Sequence, residues 1–179
     1  MISREWGLPP QFENGLVAQD LLASRYGHRL HLRDLCGRRH MQTIDIGANH
    51  QMALEVRPAH DPTKDYGFLG VTVETTNLEG SIRTWWRGQG TFYARNIVTI
   101  PPEPADAAKL PALLKPFGAF PRLVIDIDLS LEDRHLYIAR WGIGELHEYD
   151  VNNPFSPRLA GSIRLGRVAK YIPHPCGAP

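Results

Sequence analysis

Apolar and polar residues alternate over residues 123–151, and this alternation predicts three consecutive short β-strands. Ile125, Ile127 and Leu129 alternate with aspartates, which is typical of a strand with one apolar and one polar face. A turn containing Ser and Asp and then a pair of glycines separate the strands. With a fourth strand over Leu159–Leu165, we expect a four-stranded antiparallel meander of about 45 residues, the size of a propeller blade.

The third and fourth strands of this meander resemble two strand pairs nearer the N-terminus. The matching segments are 30–35 with 39–46, 81–86 with 94–101, and 146–151 with 158–165. Three copies at nearly even spacing predict a radial or stacked β-repeat. The predicted fold class is therefore all-β, a partial β-propeller of about two and a half to three four-stranded antiparallel blades.

The repeat divides the chain into segments of a single partial propeller domain. These are an incomplete blade over 1–47 with an insertion over 8–27, a blade over 50–101, an insertion over 102–121, a blade over 122–166 and a tail over 167–179. Within the first insertion, Val17–Tyr26 predicts a short helix that opens at Asn14. Long insertions of this kind are usually functional or interfacial. Because an open array exposes strand edges, we expect the chain to be a fragment of a larger ring.

Charge and composition exclude several classes of function. The chain has 20 Lys and Arg against 19 Asp and Glu, which gives no electrostatic reason to expect a nucleic-acid partner. No apolar run is long enough to span a membrane and no signal peptide is recognisable, so we expect a cytoplasmic protein. Cys36 and Cys176 stand far apart, which argues against a disulfide framework or a cysteine zinc site.

Charged residues on the innermost strands are the first candidates for a functional site, because these strands line the central channel of a propeller. Glu55 and Arg57 share one face of the predicted strand 51–57, and Asp126 and Asp128 share one face of the next innermost strand. Two interpretations remain open. The four residues form either an ion-pair network between blades, with Arg57 against a carboxylate, or a polar site at the channel mouth.

His60 follows the innermost strand of the second blade and is the candidate metal ligand or general base, with Asp61 as the expected partner of its ring. The alternative is a turn histidine that caps backbone groups. His31 and His147 occupy the same repeat position, which suggests a structural role. His174 and Cys176 in the tail are of the residue types that bind soft metals, but the two residues alone do not define a metal site.

Several short segments together resemble a known family. They are EWG at 5–7, FENG at 12–15, YGHRLH at 26–31, EVRPAHDP at 55–62, EPAD at 103–106, DIDLSL at 126–131, GEL at 144–146 and YDV at 149–151. In this order and spacing they are similar to the selenium-binding protein family, which includes methanethiol oxidase. The resemblance extends over nearly the whole chain in one unbroken register.

The resemblance implies a seven-bladed propeller of which this chain is a middle portion. It implies oxidation of methanethiol with oxygen and water to formaldehyde, hydrogen sulfide and hydrogen peroxide, with copper as the metal and a small thiol or a selenium species as the ligand. It also places most of the family's functional residues outside this chain, so we expect the chain alone to be inactive. Among the family's channel histidines only His60 has a counterpart here, and neither cysteine matches the selenium-linked one.

Four positions depart from the pattern of the family. Relatives usually carry Trp where this chain has Arg33 and Arg83, Thr in place of Ile125, and Gly in place of Arg167. A charge in place of a packed aromatic ring puts stability and activity in doubt. The alternative function is a non-enzymatic propeller segment that binds selenium species or a protein partner. A third possibility is assembly with a companion chain that supplies the missing blades.

Overall fold

The computed structural model describes residues 1–7, 9–13 and 17–166. The predicted helix start at Asn14 lies outside these residues, and so do Arg167, His174 and Cys176 of the tail.

The described residues form short strands with very little helix. The strands are β1 (Ile2–Arg4), β2 (Arg29–Asp34), β3 (Arg39–Asp45), β4 (His50–Pro58), β5 (Tyr66–Glu74), β6 (Gly80–Gly88), β7 (Thr91–Ile100), β8 (Glu103–Pro104), β9 (Ala119–Phe120), β10 (Val124–Leu129), β11 (His135–Arg140), β12 (Glu145–Asp150) and β13 (Arg158–Arg164). The helices are α1 (Pro9–Glu13) and α2 (Ala18–Leu22), with single 3-10 turns at Lys115–Phe117 and Trp141–Ile143.

Consecutive strands pair into separate antiparallel sheets. We call β1-β2-β3 blade one, β4-β5-β6-β7 blade two and β10-β11-β12-β13 blade three; β8 and β9 form a two-stranded sheet in the connection between blades two and three. Every neighbouring pair is antiparallel and consecutive in sequence, as in a meander. The prediction of an all-β partial propeller is confirmed, and within the described residues the blades do not close into a ring.

Blades two and three pack face to face through a shared apolar core. Phe68 and Ile82 of blade two meet Ile127 and Ile138 of blade three, and all four side chains are essentially inaccessible to solvent. Two hydroxyls of blade two also cross the interface: Thr72 Oγ1 donates to the Val124 carbonyl at 2.7 Å and Thr84 Oγ1 to the Pro154 carbonyl at 2.5 Å. These hydrogen bonds fix the position of one blade relative to the other, because a shift of blade two along blade three would leave buried polar groups unpaired.

Blades one and two pack through a second core that contains Leu30, Ile46, Leu69, Val71 and Trp85. Trp85 and its neighbour Trp86 face opposite sides of their strand, since Trp86 contacts the ring of Phe155 in blade three at 5.2 Å between centroids. Blade two is the middle of three layers, so both of its faces are interfaces.

The first insertion is held to blade two by Gln51, which is fully buried. Its Oε1 accepts a hydrogen bond from the Tyr26 N–H at 2.7 Å, and its Nε2 donates to the Ala48 carbonyl at 2.6 Å. Tyr26 packs in a third core with Met52 and Val73. The helix expected over residues 17–26 is shorter than predicted, because only Ala18–Leu22 is helical, and α1 was not predicted. Among the described residues, no helix is long and apolar enough to cross a membrane.

Candidate functional site

The four charged residues predicted on the innermost strands lie together. Arg57 Nη1 donates to Glu55 Oε2 at 2.5 Å on its own strand. Across the interface, Arg57 Nη2 lies 3.4 Å from Asp126 Oδ1, and Nε lies 3.5 Å from Asp128 Oδ1. Arg57 on β4 therefore bridges blades two and three, which is the ion-pair network that one interpretation expects.

This network is open to solvent. The side chains of Asp126 and Asp128 are 60% and 73% exposed, and that of Arg57 is 35% exposed. One guanidinium faces three carboxylates, so the local charge is negative. The same arrangement of these side chains is expected for an ion-pair network and for a polar site at the channel mouth. A catalytic role for Glu55, Arg57, Asp126 and Asp128 therefore stays a prediction.

We expect Arg57→Met to lower the free energy of unfolding by less than about 1 kcal/mol, because solvent screens exposed ion pairs. The loss should shrink further as salt is raised, since the screening length falls to about 3 Å at 1 M ionic strength. Urea unfolding of the two proteins at low and at high salt measures this. A loss above about 2 kcal/mol that is independent of salt would contradict the exposed network seen here.

His60 lies at the same end of the innermost strands, in the loop that joins β4 and β5. Its Nδ1 lies 3.0 Å from Asp133 Oδ1, and its backbone N–H donates to the same oxygen at 2.8 Å. Asp133 Oδ2 accepts from the Asp61 N–H at 3.1 Å and from Lys64 Nζ at 3.1 Å. One carboxylate in the β10–β11 turn of blade three thus holds the corresponding loop of blade two.

Asp133 is suited to this position by its backbone and its burial. Its φ is +58°, a left-handed conformation that Asp tolerates better than most residues. The residue is only 3% exposed. Burial opposes ionisation of the carboxyl, but hydrogen bonds from the His60 and Asp61 N–H groups and from Lys64 outweigh it and lower the pKa of Asp133 to about 2.

The interpretation of Asp61 as the ring partner of His60 is wrong. Asp61 Oδ1 accepts instead from the Thr63 N–H at 2.9 Å and from Thr63 Oγ1 at 2.7 Å, because an Asp at the start of a turn bonds most readily to the backbone two residues on. The alternative, a histidine ring that caps backbone groups, is not what the structure has either. The ring contacts the Asp133 carboxylate through Nδ1, and the His60 side chain is 41% exposed.

The described residues do not build a metal site on their own. Among them, no group of three or more His, Cys, Asp and Glu side chains is arranged to hold a metal ion. His60 offers one nitrogen, Nε2, and the carboxylate of its neighbour Asp133 already has four hydrogen-bonding partners. Copper, as implied by the resemblance, therefore does not fit this part of the chain alone.

A cluster of charged residues, most of them buried or half-buried, lies at the opposite end of blade three, and the sequence did not predict it. Its members are Glu103, Arg122, Arg140, Glu145, His147 and Arg164. Glu145 is the centre: its carboxylate pairs with Arg140 and Arg164 and lies 3.4 Å from His147 Nε2. The Arg140 side chain is only 6% exposed. Charges at inward positions of β11 and β12 were the signal that could have revealed the cluster.

Burial and mutual repulsion shift the pKa values in this cluster. Burial, with repulsion from Arg122, lowers the pKa of Arg140 to about 10. Burial, with repulsion from Arg140 and Arg122, lowers the pKa of His147 to about 4. His147 is therefore neutral at pH 7 and contributes contacts rather than charge, in agreement with the structural role suggested for it.

Three further histidines, His28, His31 and His40, have polar partners in or beside blade one. His31 Nε2 lies 3.2 Å from Glu5 Oε1, and Thr43 Oγ1 lies within hydrogen-bonding distance of both His31 and His40. His28 Nε2 lies 3.5 Å from Asp45. Cys36 is a free, exposed thiol.

Comparisons with known proteins agree with one another. The profile of the 56 kDa selenium-binding protein family matches residues 1–178. The chain is 35% identical to a methanethiol oxidase from Xenopus laevis and 32% identical to selenium-binding protein 2 from Mus musculus; each match covers 93% of this chain and 33% of the relative. The crystal structure of a hypothetical selenium-binding protein from Sulfolobus tokodaii matches with a TM-score of 0.87 and 44% identity, over 98% of this chain and 38% of that one. The chain spans about a third of the length of the curated relatives that it matches.

Proposed function

The chain belongs to the 56 kDa selenium-binding protein family, and on that premise we propose that it forms one part of a methanethiol oxidase. In that proposal the complete propeller oxidises methanethiol with oxygen and water to formaldehyde, hydrogen sulfide and hydrogen peroxide, and these blades alone are inactive. The observation that carries the proposal is the match over 93% of the chain to relatives that bear this name in frogs and fish.

The contribution of this chain to the reaction would come from His60. When Nδ1–H donates to the buried Asp133 carboxylate, the lone pair of the ring lies on Nε2 of a side chain that is 41% exposed. A carboxylate in this position fixes both the tautomer and the orientation of an imidazole. His60 is thereby prepared to accept a proton from a small thiol or to serve as a single metal ligand.

A copper ion bound by His60 would need further ligands from outside the described residues. Copper would supply redox chemistry in the complete protein. The role of the chain is limited to orienting one imidazole nitrogen and to presenting the charged network around Arg57 at the same end of the channel.

A chimera tests the proposal. Residues 1–166 of this chain replace the matching segment of the Xenopus laevis methanethiol oxidase, and methanethiol-dependent peroxide and sulfide are measured together with bound copper. We expect the chimera to retain activity and His60→Ala to reduce it at least tenfold. His40→Ala, which removes a histidine exposed in blade one, is the matched control and should leave activity unchanged. A folded, copper-loaded chimera without peroxide production would refute the proposal.

A second candidate, assembly with companion blades, is favoured by one surface of blade three. Tyr137, Ala139 and Leu146 are only half-buried on the face away from blade two, and the neighbouring Ile163 is 54% exposed. Another four-stranded blade would cover this face. Co-expression with the remaining segments of the frog relative, followed by light scattering, should give a one-to-one complex. Exclusively uncomplexed chain would count against assembly.

A further inference from the structure

A cleft of about 310 Å³ lies between blades one and two. Its apolar lining comes from both blades and includes Leu32 on β2, Met41 on β3, Trp85 on β6 and Phe92 on β7. Met41 is 54% exposed, and a flexible thioether adapts easily to the shape of a ligand. The volume is at the low end of the range of small-molecule pockets, roughly 300–1,000 Å³.

Hydrogen bonds and close packing hold the walls of this cleft in place. The side-chain amide of Gln42 in blade one donates from Nε2 to the Phe92 carbonyl at 2.7 Å, and its Oε1 accepts from the Phe92 N–H at 2.9 Å. Gly67 pairs with Trp85 across the strands and leaves room for the indole, because a Cβ at this position would lie 2.5 Å from Cζ2 of Trp85. The cleft is thus formed in the chain itself, which lowers the cost of ordering on binding.

The indole N–H of Trp85 is a buried donor without an acceptor. Trp85 is 6% exposed, and its Nε1 has no hydrogen-bond partner among the described residues. A buried N–H of Trp normally has a partner, because an unpaired donor away from water is costly. A water molecule is a poor substitute here, since buried water needs about two to four polar partners and the neighbouring side chains of Leu32 and Phe92 are apolar.

The charged residues of the lining favour neither an anion nor a cation. Arg33, Lys64 and Asp65 line the cleft and carry both signs of charge. Lys64 Nζ already lies 3.1 Å from Asp133, and the Asp65 carboxylate lies 4.0 Å from Arg87. Because transfer of a charge into the apolar part of the cleft is also costly, an uncharged ligand suits it best.

We infer that this cleft binds a small, uncharged and mainly apolar molecule with one hydrogen-bond acceptor, such as a ketone or ether oxygen, which accepts from the indole N–H of Trp85. The rings of Trp85 and Phe92, 6.4 Å apart between centroids, contact the apolar part of the ligand. This inference goes beyond the proposed oxidase function and does not rest on it, because His60 is not among the residues that line the cleft.

Titration of the whole chain with acetophenone, followed by ¹H–¹⁵N NMR of the indole N–H groups, tests the site. Acetophenone has an apolar ring and one carbonyl acceptor. We expect the indole proton of Trp85, assigned with single Trp→Phe variants, to shift downfield and to saturate, because its N–H gains a hydrogen bond. Ethylbenzene has nearly the same shape and no acceptor, so it should bind without this downfield shift. The indole signals of Trp6, Trp86 and Trp141 should stay in place with both compounds.

Trp85→Phe keeps an aromatic ring and removes the donor. We expect the preference for acetophenone over ethylbenzene, measured as the ratio of their dissociation constants, to fall about tenfold relative to the wild type. The ratio cancels changes of cleft shape that affect both compounds alike. Trp86→Phe is the matched control on the opposite face of the same strand and should leave the ratio unchanged.

The wild-type titration decides the question even where a variant fails to fold. A Trp85 indole signal that does not respond up to the solubility limit of acetophenone, or that responds no more than the other three, would overturn the inference. A ratio of dissociation constants that is equal in the wild type and in folded Trp85→Phe would overturn it as well.

Discussion

Replacement of Asp133 by asparagine is expected to lower the free energy of unfolding by about 3 kcal/mol, because a buried acceptor loses its charge while its donors stay in place. The carboxylate receives hydrogen bonds from two backbone N–H groups, from Lys64 and from the ring of His60. Asparagine keeps the shape and tolerates the positive φ, so the change isolates the charge. Urea denaturation at pH 7 measures the loss.

The same residue predicts a dependence of stability on pH. The pKa of Asp133 is about 2 in the folded chain and has its ordinary value of 3.8 in the unfolded chain. Because the pKa is lower in the folded chain, the ionised carboxylate stabilises the fold fully above about pH 5, and this stabilisation is lost as the pH falls from there to below 2. The shift in pKa corresponds to about 2 kcal/mol of folding free energy. This part of the acid sensitivity should be absent from Asp133→Asn.

Asp61→Asn is the matched control for both measurements. Asp61 lies in the loop that Asp133 holds, but its carboxylate bonds only within its own turn, to Thr63. Asparagine forms the same kind of turn, so we expect a change below about 0.5 kcal/mol. Equal losses for the two variants would mean that Asp133 has no special role in holding the His60 loop.

Glu145→Gln is expected to cost about 3–4 kcal/mol, because Arg140 stays buried without the carboxylate that pairs with it directly. Arg140 is almost fully buried and repelled by Arg122, and Glu145 also pairs with Arg164. Glu148→Gln on the same strand is the control. Its carboxylate is 38% exposed and lies 2.8 Å from His135, so its loss should cost less than about 1 kcal/mol.

A double variant distinguishes pairing from packing at Glu145. When Arg140→Met is combined with Glu145→Gln, the uncompensated charge disappears, and the double variant should be more stable than Glu145→Gln alone. Losses that simply add would show that Glu145 stabilises the blade by packing rather than by neutralising Arg140.

The blades were predictable from the sequence because their signal is local. Alternation with period two and turn residues at short spacing define each strand, and the repeat of segments such as 30–35 and 146–151 defines the register between blades. The contact of Arg57 with Asp126 followed from the same logic, since both lie on innermost strands of adjacent blades.

The anchor of His60 was not predictable in this way. Asp133 is 73 residues from His60 in sequence, and its local pattern is that of an ordinary turn aspartate. Its role arises only when two loops of adjacent blades pack together, and nearby Asp61 offered a simpler but incorrect partner. The pairing of Arg140 with Glu145 was also missed. Arg140 continues the inward-facing series of Leu136 and Ile138 on β11, but a charge at an inward position does not by itself identify its partner on the next strand.

The tautomer of His60 tests the central claim, that a carboxylate of blade three holds the proton of this ring on Nδ1 and leaves the lone pair on Nε2. A long-range ¹⁵N–¹H NMR spectrum at about pH 8.5, roughly two units above the ordinary histidine pKa, reports which nitrogen carries the proton. The structure predicts a proton on Nδ1 in the wild type and loss of this preference in Asp133→Asn. A wild-type ring protonated on Nε2, unchanged by the substitution, would contradict the account.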